Sequence, residues 1–336
     1  MTIFDHVLRR LTKPTEYTAS TEELKTITFE GIQTYIFNKV TSGKFRKTSL
    51  DQESIQNIKS AIHLNVSKNQ PIKFTYPFGG YKSWRLNSFP NVDWAEFMTI
   101  SYVLRYIAPI ATTYQPGVEI FFSSDDVVIE LIDNYPRKDL DLYVYSFRKL
   151  LSFFSPYVPK NVTLSLQQVV PDIYTPEEYH AELERIFSQM KHEGFPQERA
   201  RALHNEGFAF NFLRNGKQDL TNEDDYERVF PDLAIYSDAY LKLEKRKAFV
   251  RGKDKIVLFS NKIPNAIDIG STNVSKAKFW AGTGVFEKDE RYHDRILSPT
   301  QWDQIEKQIS YEESDLIQMD NFSKIPVIEE RLNFKG

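Results

Sequence analysis

The sequence predicts an α/β fold built on a mostly parallel sheet with helices on both faces, followed by a more helical C-terminal half. Three observations predict it. Strand-like runs at Pro71–Tyr76, Val118–Phe122 and Val162–Val170 alternate with helix-patterned stretches, the signature of parallel β-α-β crossovers. The first two runs lead into Gly-, Pro-, Ser- and Asp-rich turns of the kind that leave strand ends. Apolar residues make up 41% of the 336 residues, enough for a sizeable core in one large unit or two moderate ones.

The elements follow in chain order. Residues 1–47 are polar except for Ile32–Val40, and the pattern predicts a helix over about 29–40. A second helix spans 48–66, opened by Thr48 or Ser49, with Ile55, Ile58, Ile62 and Leu64 as its buried stripe. The first strand ends at Pro77-Phe78-Gly79-Gly80. Asp93 is a strong N-cap with Glu96 three residues on, so a helix starts there and runs to about Ala111. Gly117 breaks the chain before the buried strand Val118–Phe122, and a helix over about 138–154 leads to the third strand. Thr175-Pro176-Glu177-Glu178 combines a capping box with proline at the first helical position, and that helix reaches about His192. Beyond Gly194-Phe195-Pro196 a helix over 197–214 stops at Asn215-Gly216, and the charged residues 217–232 read as loop. The charge run Lys242–Arg251 reads as a solvated helix face. Strands at Lys255–Ser260 and Ala277–Phe286 precede a last helix opened by Ser298-Pro299, and an acidic tail of weak periodicity begins at Tyr311. The chain thus divides into an N-terminal helical segment (1–66), an α/β core (67–172), a helical and strand region that completes the sheet and site (173–310), and a tail (311–336).

Charge and composition exclude several classes. With 43 basic and 46 acidic residues the net charge is −3, so no overall field draws the chain to nucleic acid or to anionic lipid. No window approaches the ~18 consecutive apolar residues of a transmembrane helix, and Met1–Lys13 lacks the apolar stretch of a secretion signal. The expected partners are small molecules, with neither nucleic acid nor membrane, and the oligomeric state is left open. No cysteine is present, which removes disulfides, thiolate metal sites and a cysteine nucleophile, and fits a cytoplasmic protein. The six histidines show no HxH or HExxH spacing. Two Glu-x-x-His pairs, Glu177/His180 and Glu290/His293, lack the further helical glutamates of a di-iron site, and no metal site is expected.

In an open parallel sheet, ligands bind outside the carboxyl ends of the strands. That rule selects Gly79-Gly80-Tyr81-Lys82-Ser83-Trp84-Arg85, where paired glycines allow close backbone approach and Lys82 and Arg85 can bind phosphate or carboxylate. It also selects Ser123-Ser124-Asp125-Asp126, whose carboxylates can orient an amine, move a proton, bind a metal or simply cap a helix. Only one of Asp125 and Asp126 is expected to face a ligand. Gly270-Ser271-Thr272 with Lys276 and Lys278 can form an anion-binding turn or an exposed connection.

Over about Ile55–Val170 the chain resembles the isocyanide (isonitrile) synthases of the pyoverdine and dityrosine biosynthesis family. The resemblance rests on "NQPIKFTYPFGGYKS", "LNSFPNVDWAEF", "YQPGVEIFFSSDDVVIEL" and a helix containing "LYVYSFRKLL", in the family's order. The family's Ser-Asp-Gly turn reads Ser124-Asp125-Asp126 here, and its later Arg-Leu-Ser-Ile-His and Pro-Trp-His segments have no histidine-bearing counterpart. The resemblance implies a Rossmann-like fold and a cofactor-independent biosynthetic reaction. An amino acid's α-amine attacks the ketone of ribulose 5-phosphate, which donates the isonitrile carbon, and carbon dioxide is lost. Lys82 and Asp125 then fall in catalytic roles, with Gly79, Gly80, Tyr81, Trp84, Arg85, Ser124, Asp126, Lys276 and Lys278 around the substrates and Phe78 facing the side chain. Two other functions stay open on the residues alone: a metal-dependent sugar or nucleotide transferase, and a non-enzymatic binding or assembly protein.

Overall fold

The computed structural model describes residues 2–78, 92–124, 126–196, 198, 223–246, 252–260, 262–270, 279, 282–319 and 322–332. Its centre is the predicted parallel sheet. Strands β1 (Ile72–Phe78), β2 (Val118–Ser124), β3 (Val162–Gln168), β4 (Lys255–Phe259) and β5 (Ile267–Asp268) lie in the order β3-β2-β1-β4-β5, every neighbouring pair parallel. The chain moves outward from β1 to β3 on one side and then returns to build β4 and β5 on the other. The order therefore reverses between β1 and β4, as in a Rossmann-like sheet.

The sheet is apolar because it is covered. Ile72, Phe74, Val118, Ile120 and Phe122 are fully buried, as expected for strands covered by crossover helices. Gly117 opens β2 at φ +80°, and a Cβ there would stand 1.9 Å from the Asn161 carbonyl oxygen, so no other residue fits without rebuilding the turn.

Four helices precede the sheet: α1 (Ile3–Thr12), α2 (Thr21–Glu30), α3 (Ile32–Val40) and α4 (Gln52–Ser67). The single helix expected over 29–40 is two, because Gly31 adopts φ +90° between them. The N-cap of α4 is Asp51 rather than Thr48 or Ser49; its Oδ1 accepts from Ser54 N at 2.7 Å. Ile58 and Ile62 are buried in its stripe, while Ile55 and Leu64 are half-buried.

The crossovers use α5 (Trp94–Thr113) and, after the short α6 (Asp126–Asp133), α7 (Arg137–Phe154). The capping box of α5 is formed as expected: Asp93 Oδ1 accepts from Ala95 N at 2.7 Å, and Glu96 Oε2 accepts from Asp93 N at 2.8 Å. Helix α5 is apolar nearly all round and buried along most of its length, because it lies between the parallel sheet and a second sheet.

The second half departs from expectation. The charged stretch 217–232, expected as loop, contributes its described part to α9 (Glu223–Arg246). Leu233, Ala234, Ala239 and Leu243 are buried and form the apolar stripe of this amphipathic helix. It packs on α8 (Pro176–Glu193), with Phe187 and Tyr236 stacked at 4.0 Å. The helix expected over 197–214 lies outside the described residues apart from Glu198.

The strand expected over 277–286 begins instead at Thr283. It forms β6 (Thr283–Lys288), which pairs with β7 (Tyr292–Leu297), β8 (Ser310–Glu313) and β9 (Lys324–Ile328) in the order β7-β6-β9-β8. The helix α10 (Pro299–Ile305) starts at Ser298, as expected, and the structure adds a capping box with Gln301. The weak periodicity after Tyr311 conceals two strands, because β8 is exposed along its whole length and β9 is short and carries Pro326. This second sheet closes over α5. Trp94 packs edge-on against Phe286 and Phe322, and its indole N–H donates to the Lys324 carbonyl at 2.9 Å. Among the described residues no helix is long and apolar enough to cross a membrane.

Candidate functional site

Phe78, Ser124 and Gln168 are in register at the carboxyl ends of β1, β2 and β3. Each strand end puts a different group at this edge of the sheet, and the two outer ones are polar. The residues that follow Phe78 in sequence, Gly79, Gly80, Tyr81, Lys82, Trp84 and Arg85, lie outside the described residues, as do Asp125, Lys276 and Lys278. Ser124 and Asp126 are described, and both are fully buried.

Asp126 opens α6 and sits in a connected polar network. Its Oδ1 accepts from Ser124 Oγ at 3.4 Å, and its Oδ2 accepts from Gln168 Nε2 at 3.1 Å and pairs with Arg137 at 2.9 Å. Burial pushes the Asp126 carboxyl above the usual carboxylate range, against the opposing pull of Arg137 and Gln168. Gln168 is itself oriented from both ends, because its Oε1 accepts from Arg148 Nη2 at 2.6 Å. Arg148, Gln168, Asp126 and Arg137 thus form a chain in which each donor meets an acceptor.

Beside this chain lies a cavity of about 590 Å³ with Arg137, Arg148 and His180 on its wall, together with Glu130, Asp141 and Tyr145. Arg137 also bonds Asp141, with Nη2 at 2.7 Å, and lies 3.5 Å from Glu130. The cavity therefore presents both signs of charge within one small volume, next to the strand ends.

Under the strand ends lies an aromatic floor. Phe78 stacks on Phe147 at 4.9 Å and meets Phe122, Tyr143 and Phe279. It is 2% exposed and forms part of that floor. The Tyr143 hydroxyl donates to Glu96 Oε1 at 2.8 Å; burial and the charge of Glu96 hold it well above the usual tyrosine range. Phe279 packs on Phe78 at 5.4 Å and on Tyr76 at 5.5 Å.

At the reversal of strand order, the Tyr76 hydroxyl bonds the Ser260 hydroxyl across the gap between β1 and β4. Lys47 reaches the same edge from the N-terminal segment. Its Nζ donates to the Ser260 carbonyl at 3.1 Å and stands 3.9 Å from Asp268 Oδ1.

Four polar residues of this edge were not singled out from sequence: Lys47, Arg137, Arg148 and Gln168. Gln168 had a signal, since the strand-end rule that selected Ser124 applies equally to the last residue of the third strand. The others are ordinary helix or loop cations in sequence, and only the fold brings them here. Among the described residues, no group of three or more histidine, aspartate and glutamate side chains is placed to hold a metal ion.

No protein-family model matches the chain, and no curated protein matches it in sequence. Its structure is similar to that of the PvcA protein from Pseudomonas aeruginosa, with a TM-score of 0.58 over 88% of this chain and 99% of that one. The two share 13% identity, so the likeness is one of fold, and it spans essentially the whole of PvcA.

Proposed function

We propose that this chain is a biosynthetic enzyme of the isocyanide-synthase type, acting on the α-amine of an amino acid with a sugar phosphate as co-substrate. The observation that carries the reading is the cavity of mixed charge at the carboxyl ends of β2 and β3, beside the buried Asp126 network. An amino acid is a zwitterion, and a site for it must offer a cation and an anion a few ångströms apart. Arg148 and Arg137 offer the cations, and Glu130 and Asp141 the anions. Two further lines support the reading: the motif order over Ile55–Val170 resembles that family, and the fold is shared with the PvcA protein.

In this reading Arg148 takes the substrate carboxylate, and Asp126 positions Arg137 without touching substrate. Lys82, Arg85, Lys276 and Lys278 surround the sugar phosphate, Asp125 moves protons at the amine, and Tyr81 and Trp84 flank the side chain. The amine attacks the ketone carbon of ribulose 5-phosphate and water leaves to give the imine. Both carbon–carbon bonds at that carbon then break, leaving it on nitrogen as the isonitrile while the remaining sugar carbons depart, one fragment as an aldehyde and the other taking up its proton and electron pair.

The test is to incubate the protein with tyrosine or tryptophan and ribulose 5-phosphate and to seek the isonitrile by mass spectrometry. The product is expected with at least one aromatic amino acid. Arg148→Met is expected to raise KM for the amino acid about tenfold or more, with a smaller change in kcat, because it removes binding shared by ground and transition states. Absence of product from every aromatic amino acid would contradict the reading.

A further inference from the structure

A second concave site lies away from the strand ends, between α1, the middle of α5 and the β6–β7 hairpin. It is a crevice of about 450 Å³. Arg9, Arg10 and Lys13 enter it from α1, Arg105 from α5 and Arg291 from the hairpin turn. One carboxylate, Asp294, lines it, and that group is already engaged: Arg10 Nη2 lies 2.6 Å from one oxygen and His6 Nε2 lies 3.0 Å from the other. Arg9, Lys13, Arg105 and Arg291 make no ion pair among the described residues, although Glu16 lies within electrostatic reach of Lys13.

Such an arrangement of like charges is unfavourable on its own. Charge from Arg105 acts first, with burial and the neighbouring Arg10 and Arg9, to hold the Lys13 ammonium below its usual range. The chain as a whole is slightly acidic, so this concentration of cations is local. His6 adds an independent sign. It lines the crevice at 5% exposure, and its Nδ1 is buried with no hydrogen-bond partner among the described residues. A buried ring nitrogen without a partner is uncommon and points to a group that the protein alone does not supply. The crevice wall also carries Tyr102 and Tyr106, with the Arg105 guanidinium 5.6 Å from the Tyr106 ring.

We propose that this crevice binds a phosphorylated small molecule carrying three or more negative charges. A monocarboxylate balances too few of the cations, whereas the tetrahedral oxygens of a di- or triphosphate group meet several guanidinium forks at once. A long polyanion such as nucleic acid fits poorly, because the positive charge ends at the rim of a small cavity on an acidic chain. Asp93 at the start of α5 stands near the strand ends, and Tyr102 and Tyr106 lie nine and thirteen residues further on, roughly 14–20 Å along the helix. The crevice is therefore separate from the strand-end site and does not depend on the function proposed for it.

The test is calorimetric titration of the full-length protein with sodium tripolyphosphate, and in parallel with ATP, in a buffer containing chelator. One saturable site is expected, weakening steeply with added salt. Arg9→Ser and Arg105→Ser are each expected to weaken binding about tenfold or more, while circular dichroism and melting temperature stay as in the wild type, since both side chains are exposed. Arg148→Met, at the strand-end cavity, is expected to leave the binding unchanged. Tighter binding of ATP than of tripolyphosphate would assign the base to the tyrosine wall, and equal binding would assign recognition to charge alone; both support the site. No saturable binding of tripolyphosphate would overturn the proposal, as would binding undiminished in the Arg9→Ser/Arg105→Ser double variant or abolished by Arg148→Met.

Discussion

Asp126 shows how a single buried charge is held at the candidate site. A carboxylate out of contact with water is tolerated when its oxygens are engaged, and here Ser124, Gln168 and Arg137 engage them. Burial still outweighs these partners, so the folded protein holds the Asp126 proton more tightly than the unfolded chain does. The sign follows: the contribution of this group is most favourable below the ordinary carboxyl range near pH ~4 and declines as pH rises through the raised value. Asp126→Asn is therefore expected to melt at the same or a higher temperature than the wild type at pH 7, with the gap closing toward pH ~4. It is also expected to lower turnover, because Arg137 loses its fixed anchor. Thermal melts at the two pH values check this, and a marked loss of stability at pH 7 would count against it. Asp294 is the opposite case. Burial raises its carboxyl too, but Arg10 and His6 together outweigh burial and hold it below the usual range. Its stabilising effect is present above about pH 4 and is lost as pH falls through the lowered value. Ser124 and Asp126 were legible in sequence because a Ser-Asp run directly after an apolar strand has few other places to be. Arg137 and Arg148 were not, since an arginine on a helix reads as solvated until the fold supplies Gln168 and Asp126 beside it.

At the scale of elements, the site depends on where α5 begins. Its first turn is fixed by the Asp93–Glu96 capping box, and Val92 N donates to Ser146 Oγ on α7 at 3.1 Å. From the other side β6 presses on it at Gly284. A Cβ at that position would stand 2.3 Å from Ala95 N and from the Trp94 carbonyl carbon, which are backbone atoms that cannot swing aside. Gly284→Ala is expected to destabilise by about 2 kcal/mol or more, read as a shift of the denaturant midpoint, and a neutral effect would refute this packing. The glycine was visible in sequence, but its meaning was not, because the contact joins residues that the chain separates widely. The misread of 217–232 has a different cause. The stretch is dense in charge, and the apolar face of α9 becomes periodic only when the buried Leu233, Ala239 and Leu243 beyond it are included. The capping box at Asp93 and the helix start at Ser298 were readable in advance because they are local, with every participating residue within one turn.

For the whole molecule, strand order decides where chemistry can sit. Alternation of strands and helices announced a parallel sheet, yet only the assembled order β3-β2-β1-β4-β5 shows the reversal between β1 and β4. Lys82 and Asp125 follow β1 and β2 in sequence and lie outside the described residues, while the mixed-charge cavity lies at the ends of β2 and β3. The second sheet escaped the sequence because its strands are short and one of them is wholly exposed. It nevertheless completes the cover of α5 and extends the same apolar core through Phe286, Ile296, Ile325 and Val327. In the function proposed above, this edge of the sheet joins an amino acid to a sugar phosphate. The most direct measurement supplies ribulose 5-phosphate uniformly labelled with carbon-13, together with unlabelled tyrosine or tryptophan, and weighs the product. The expected product is an isonitrile one mass unit heavier than the unlabelled compound, formed without added cofactor. An isonitrile with no label, or no isonitrile from any aromatic amino acid, would contradict it.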